Sequence, residues 1–140
     1  MLLDANLLLY AVDADSPVHA RVADWLESTL SGPTRVGLPW QSIGAFLRIA
    51  THPRVYERPL TASAAWGYVE DWLGAPNAWI PAAGASTGVV LGRLMQAGIA
   101  GNLVPDAQLA ALAIEHGVAV ASADADFGRF PGCRWINPLG

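Results

Sequence analysis

The chain has 140 residues, 53% of them hydrophobic and only 14% charged, and a net charge of −4. That length sets one domain, residues 1–140, with room for a proper core. All eight basic residues are arginine, and the absence of lysine removes every mechanism that needs one. Cys133 is the one cysteine, so no internal disulfide is possible and nothing implies an oxidising compartment. The acidic balance excludes a basic surface spread over the whole molecule. No run approaches the roughly 18 apolar residues that span a bilayer, and Asp4 breaks the opening apolar run without a basic residue before it. No membrane association and a cytoplasmic location are therefore expected. With charged residues well below the roughly 25% usual for globular domains, a core enclosed on both faces or a standing partner is expected.

Met1–Leu3 reads as a strand ending at Asp4, followed by a short helix over Asn6–Tyr10. Ser16 and Pro17 then read as the cap and first position of a helix reaching about Ser31, with Val18, Val22, Trp25, Leu26 and Leu30 on one face. Arg35–Leu38 is a second strand, and Pro39 opens a helix that carries Ile43, Phe46, Leu47 and Ile49 and ends near His52 and Pro53. Thr61 caps a helix to about Leu73, Ala78–Ile80 is a strand, and Ser86 starts a helix through Met95. Asp106–His116 is helical, with Gly117 as its stop. Val118–Ala121 is an unbroken apolar strand of the kind buried on both faces. Asp124–Phe130 is a turn region, and Arg134–Ile136 a final edge strand. Strands alternating with helices predict an α/β chain: a three-layer α/β/α sandwich around a mostly parallel sheet.

Chemistry in such a sheet collects beyond the carboxyl ends of the strands. Asp4 stands at the end of the first strand, and Asp124 and Asp126 directly follow the strand Val118–Ala121. Asp106 lies in the first turn of a helix whose lead-in, Asn102–Val104, runs toward the same edge. Taken singly, each has an ordinary structural role: a helix cap, a first-turn acid favoured by the helix dipole, or a turn residue. Placed together, four carboxylates repel unless a cation lies among them. Oxygen ligands without histidine or cysteine select Mg²⁺ or Mn²⁺ and point to phosphoryl chemistry rather than zinc-dependent peptide hydrolysis.

These segments resemble the PIN-domain ribonuclease toxins of type II toxin–antitoxin systems, the VapC family, over essentially the whole chain. The matching pieces are Leu3–Tyr10, Leu38–Trp40 with Phe46–Pro53, Asn102–Ala113, and Ser122–Phe127. The resemblance implies an endoribonuclease dependent on Mg²⁺, with Mn²⁺ able to substitute. It implies a homodimer, an RNA substrate, and a cognate small antitoxin that covers the active site. It makes Asp4, Asp106 and Asp124 the catalytic acids, with Asp126 completing the metal set and Asn6 orienting the first acid. Two positions depart from the family pattern. No carboxylate occurs in Gln41–Ala45, where a glutamate is common near the start of the third helix, and Pro105 replaces a threonine or serine before the acid. A PIN-like module that binds RNA or a protein without efficient cleavage is therefore the alternative.

Arg48, His52, Arg54 and Arg58 form the one local basic concentration and are expected either to hold RNA phosphates or to form a solvated helix end. Arg129 and Arg134 are weaker candidates. The three histidines are not spaced as ligands of one metal. Trp40 follows a strand end and could stack on a base, but core packing is the preferred reading, as for the other tryptophans. A receiver domain, a haloacid-type phosphatase and a P-loop each require lysine, and no G-x-G-x-x-G follows the first strand.

Overall fold

The computed structural model describes residues 1–140. Five strands form one wholly parallel sheet, β1 (Leu2–Leu3), β2 (Val36–Gly37), β3 (Ala78–Trp79), β4 (Val120–Ala121) and β5 (Trp135–Ile136), in the order β3-β2-β1-β4-β5. Six helices connect them: α1 (Ala5–Val12), α2 (His19–Leu30), α3 (Trp40–Ala50), α4 (Ala62–Leu73), α5 (Ala85–Gln96) and α6 (Val104–His116). No helix is long and apolar enough to cross a membrane.

Successive residues of a strand point to opposite faces, and the central strands use this to build two cores. Leu3, Val36 and Ala121 pack with α1–α4 around Leu7, Val22, Phe46 and Trp72. Leu2 and Val120 face the other way, onto α6, Leu94 of α5, and Phe127. The layers are thus α/β/α, as the alternation of elements predicts. Buried residues occupy nearly every side of α6 (Ala107, Leu109, Ala110, Ala111, Leu112, Ala113), as expected of a helix enclosed by its neighbours. Its four buried alanines let it approach the sheet and α5 closely. Gly117 ends it in the left-handed conformation, φ 67°, where a glycine carries no steric penalty.

Side-chain caps start two of the six helices, α1 at Asp4 and α4 at Thr61. Thr61 accepts a hydrogen bond from the Ala64 amide, the capping contact that its position before an apolar helix predicts. The start of α2 differs from expectation: the helix begins at His19, capped by Val18. Ser16 accepts from the Val18 amide through its hydroxyl and from the His19 amide through its carbonyl, so Ser16–Val18 close a turn before the helix begins. A serine–proline pair supports a turn as readily as a cap, and here the turn prevails. The lead-in to α6 holds a short 3₁₀ turn, Gly101–Leu103, and Ala125–Arg129 forms a second after β4.

Gly37 is required by close approach. A Cβ there would run into the Leu2 side chain and stand 3.0 Å from the Trp79 ring. The Trp79 ring also carries the Arg35 guanidinium 4.3 Å from its centroid, so it has little freedom to retreat. Gly37→Ala is expected to lower unfolding free energy by about 1–3 kcal/mol, the usual scale of overpacking. Urea denaturation checks this; an unchanged midpoint would mean that β1 and β2 separate more easily than their packing implies.

Candidate metal centre

Parallel pairing places Leu2 beside Val120 and Leu3 beside Ala121. One residue further on, Asp4 and Ser122 leave the sheet side by side, and the Asp4 amide still bonds the Ala121 carbonyl at 3.0 Å. Asp4 caps α1 in extended conformation, with Oδ1 accepting from the Ala5 amide at 2.8 Å. Its Oδ2 accepts the Ser122 hydroxyl at 2.7 Å. Ser122 is fully buried and fully used: its oxygen also accepts from Asn6 Nδ2 and from the Asp124 amide, each at 3.0 Å. Asn6 Oδ1 in turn receives the Ala123 amide. Asn6 therefore reaches Asp4 through Ser122 rather than directly.

Asp124 caps the 3₁₀ turn Ala125–Arg129 by accepting the Asp126 amide at 2.8 Å. That contact folds Asp126 back beside it. Asp106 arrives from the first turn of α6, and carboxylate oxygens of Asp106, Asp124 and Asp126 lie within 4.8 Å of one another. Asp4 and Asp106 line one pocket of about 270 Å³. All four acids singled out in the sequence thus gather at the carboxyl edge of the sheet. Asp106, Asp124 and Asp126 form the tight group, with Asp4 alongside.

The electrostatics fit a cation. Burial, followed by the charges of Asp4, Asp124 and Asp126, pushes the Asp106 carboxyl up to about 6. Burial also raises Asp4, with Asp124 adding to the effect, while the bonds from Ser122 and the Ala5 amide oppose it. The positive charge at hand is Arg129, 3.4 Å from Asp126 in an exposed pair, and such pairs contribute little. A hard divalent ion would relieve this repulsion, and an all-oxygen donor set suits Mg²⁺ or Mn²⁺.

The other candidates lie elsewhere. Arg48 is exposed on α3. His52, Arg54 and Arg58 follow that helix, at the end opposite the acids; the His52 ring accepts from the Arg54 amide, and Arg58 lines a small cavity with Asp13 and Asp15. Arg134 bonds the Gly117 carbonyl beyond the C-terminus of α6. His19 and His116 bond the carbonyls of Tyr10 and Ala82 and stand apart from the acids. Burial pushes the Cys133 thiol up to about 11, which makes it a poor nucleophile. Trp40 is 58% exposed, which overturns its placement in the core. It sits at the first position of α3, ahead of the apolar stripe that reaches the core.

Ser122 went unassigned in the sequence, although the signal was present as a lone hydroxyl closing an apolar strand. The α3 side of the pocket is neutral, lined by Gln41, Ser42, Ala45 and Ile49. Gln41 also reaches across to the Pro105 carbonyl at 3.5 Å.

The PIN domain family matches residues 1–132. Ribonuclease VapC37 of Mycobacterium tuberculosis is 45% identical over 138 residues, covering 98% of this chain and 96% of its own. Ribonuclease VapC33 of the same organism is 43% identical, covering 97% and 96%. Among solved structures, VapBC2 from Rickettsia felis, bound to a DNA fragment from its promoter, has a TM-score of 0.71 at 16% identity, covering 97% of this chain and 96% of that one. That last likeness is one of fold. Together with the gathered acids, these matches establish that the chain belongs to the PIN-domain family, in its VapC branch.

Proposed function

We propose that this protein is a divalent-metal-dependent endoribonuclease, the toxin of a toxin–antitoxin pair. The observation that carries the reading is the group formed by Asp106, Asp124 and Asp126, in a chain 45% identical to a named ribonuclease. Asp106, Asp124 and Asp126 would hold the ion, with Asp4 at its flank. When bound, Mg²⁺ or Mn²⁺ supplies neutralising charge at the phosphodiester and eases deprotonation of the attacking water. Asp4 has one lone pair on each oxygen already occupied by Ala5 and Ser122, so it is fixed in orientation and able to accept a proton or a water hydrogen. Asn6 and Ser122 are positioning residues, acting through Asp4 and Asp124. Gln41, on the opposite wall, can donate to a phosphate or ribose oxygen.

Self-association and capture of a small antitoxin belong to the same proposal. Val89 and Met95 of α5 are 57% and 42% exposed, and Trp66 and Tyr68 of α4 are 41% and 39% exposed. Beside Tyr68 a cavity of about 790 Å³, lined by Leu26, Leu30 and Trp72, lies between α2 and α4. The two helices lie on opposite faces of the sheet, so each offers its own exposed apolar side chains for a protein contact. Light scattering should find a dimer of the free chain and a larger complex on co-expression with the antitoxin; a monomer at all concentrations would remove the dimer.

The primary test is cleavage of a mixed RNA pool with Mg²⁺ or Mn²⁺, beside EDTA. Cutting should require metal and vanish in Asp4→Asn and Asp106→Asn. Ser122→Ala should cut about 10- to 100-fold more slowly, the usual loss when a partner that orients a metal-site group is removed. If the folded wild type does not cut, the module is a binder and not a nuclease; if the aspartate variants cut as well as it does, the cutting does not come from this acidic site.

Burial and crowding of Asp106 also have a thermodynamic consequence. The folded pKa of Asp106, about 6, stands above its ordinary 3.8, so the folded state holds that proton longer than the unfolded chain does. Metal-free stability from this group is present below about pH 4 and is lost as pH rises through 6. Asp106→Asn should therefore raise the metal-free melting temperature at pH 7 by a few degrees, on the order of 1 kcal/mol after allowance for solvent screening. The same variant should lose most of the metal-induced rise that the wild type shows. A metal-free Asp106→Asn less stable than the wild type would mean that the carboxylate is satisfied without a cation.

A further inference from the structure

Two adjacent stripes of α3 meet different surroundings. Gln41, Ala45 and Ile49, four residues apart, line the acid-bearing pocket. Beside them Trp40, Gly44 and Arg48, also four apart, are exposed. Trp40 is the most exposed of the large hydrophobic residues, at 58%. At Gly44 a side chain would meet nothing within 4 Å. The chain's one ion pair joins Arg129 to Asp126, which leaves the Arg48 guanidinium free. At 1.5 Å per residue, Arg48 lies about 12 Å along the helix from Trp40.

The sheet sets where this stripe begins. Leu2 pairs with Gly37, so Asp4 and Pro39, each two residues on, leave the sheet at the same level. Trp40 is the next residue after Pro39, and Gln41 already lines the pocket with Asp4 and Asp106. An indole face, a bare gap and a free guanidinium therefore run in line away from the acids.

We propose that this stripe is the track that holds the single-stranded RNA substrate: a base stacks on Trp40, the strand crosses the helix at Gly44, and Arg48 grips a phosphate further along. This rests on the ribonuclease reading above and specifies how that substrate is held. Stacking on an aromatic face accepts any base, and arginine can hold two phosphate oxygens at once. A strand anchored this way passes beside the pocket, bringing a neighbouring phosphodiester to the acids. The stripe also explains how a chain of net charge −4 engages RNA, through one local line rather than a basic surface. A dimer face is a poorer fit, because one indole beside a bare glycine and a charged guanidinium offers little of the apolar, charge-depleted centre that a stable interface buries.

The test measures binding of a short mixed-sequence single-stranded RNA to full-length protein carrying Asp106→Asn, so that nothing is cut. Added Trp40→Ala should weaken binding on the order of 10- to 100-fold at constant salt dependence, and Trp40→Phe should restore most of it. Arg48→Gln should reduce the slope of log affinity against log salt by about 0.7, the signature of one lost phosphate contact. Gly44→Gln should stabilise the fold, since glycine is a poor helix former, while weakening RNA binding by obstructing the track. Undetectable binding in the Asp106→Asn protein, unchanged affinity in Trp40→Ala, or conversion of a dimer to a monomer by Trp40→Ala would each overturn the track. Wild-type cleavage keeps the two ideas separable. Cutting that is indifferent to Trp40 removes the track alone, and Trp40-dependent binding without cutting removes the nuclease alone.

Discussion

One buried hydroxyl governs the geometry of the acidic edge. Ser122 gives its hydrogen to Asp4 and receives those of Asn6 and the Asp124 amide, so the ends of β1 and β4 and the start of the 3₁₀ turn meet at one oxygen. Repulsion among the acids works against this convergence, and the shared hydroxyl opposes it. The hydroxyl is fully buried, and a buried hydrogen bond that leaves a charged partner unsatisfied when broken is expensive to lose. The packing of β1 against β4 and the placement of the carboxylates are therefore not independent. Parallel register brings Asp4 and Ser122 level, and the Ser122 bond converts that register into a fixed carboxylate.

The acids themselves are held in an electrostatically unfavourable arrangement. Burial dominates the upward push on both Asp4 and Asp106, with neighbouring carboxylates adding to it. A fold gains nothing from this on its own, since a charged group taken from water without a partner lowers stability. A cation sharing the site would make the arrangement favourable. The two apolar cores supply the margin that lets the metal-free chain stay folded, and α6, buried on nearly all sides, fixes Asp106 at its N-terminal turn. Stability is thus concentrated away from the site and tension at it.

The sequence made the layers and the acids legible for a simple reason: both follow from periodicity. Apolar runs at strand spacing and helical spacing locate β1, β4 and α6, and an acid just past a strand end lands at the carboxyl edge wherever the sheet is parallel. Ser122 was not legible as a hub, because a serine after an apolar strand reads equally as the start of a turn, and its three partners lie up to 118 residues away in sequence. Trp40 was misplaced because a tryptophan near apolar positions is usually core; its exposure depends on the helix phase, which only the turn at Pro39 fixes. The basic residues near the end of α3 fall on two elements: Arg48 lies on the helix, which ends at Ala50, and Arg54 and Arg58 lie in the segment that follows.

The neutral wall formed by α3 gives this chain its particular character. Gln41, Ser42 and Ala45 occupy the side of the pocket where a further carboxylate would complete a ring of acids. Counting ligands alone makes the missing acid a loss. The local electrostatics weigh against that count. Burial first, and then the charges of Asp4, Asp124 and Asp126, already push the Asp106 carboxyl up to about 6. A further acid in the 270 Å³ pocket that Asp4 and Asp106 line would add to the repulsion that already raises Asp106. A neutral wall adds no such repulsion at Asp4 and Asp106 and leaves amide and hydroxyl groups, rather than negative charge, on that side of the pocket. For a chain of net negative charge, one repulsive group fewer on the approach side favours the encounter with a polyanion that the overall charge weakens.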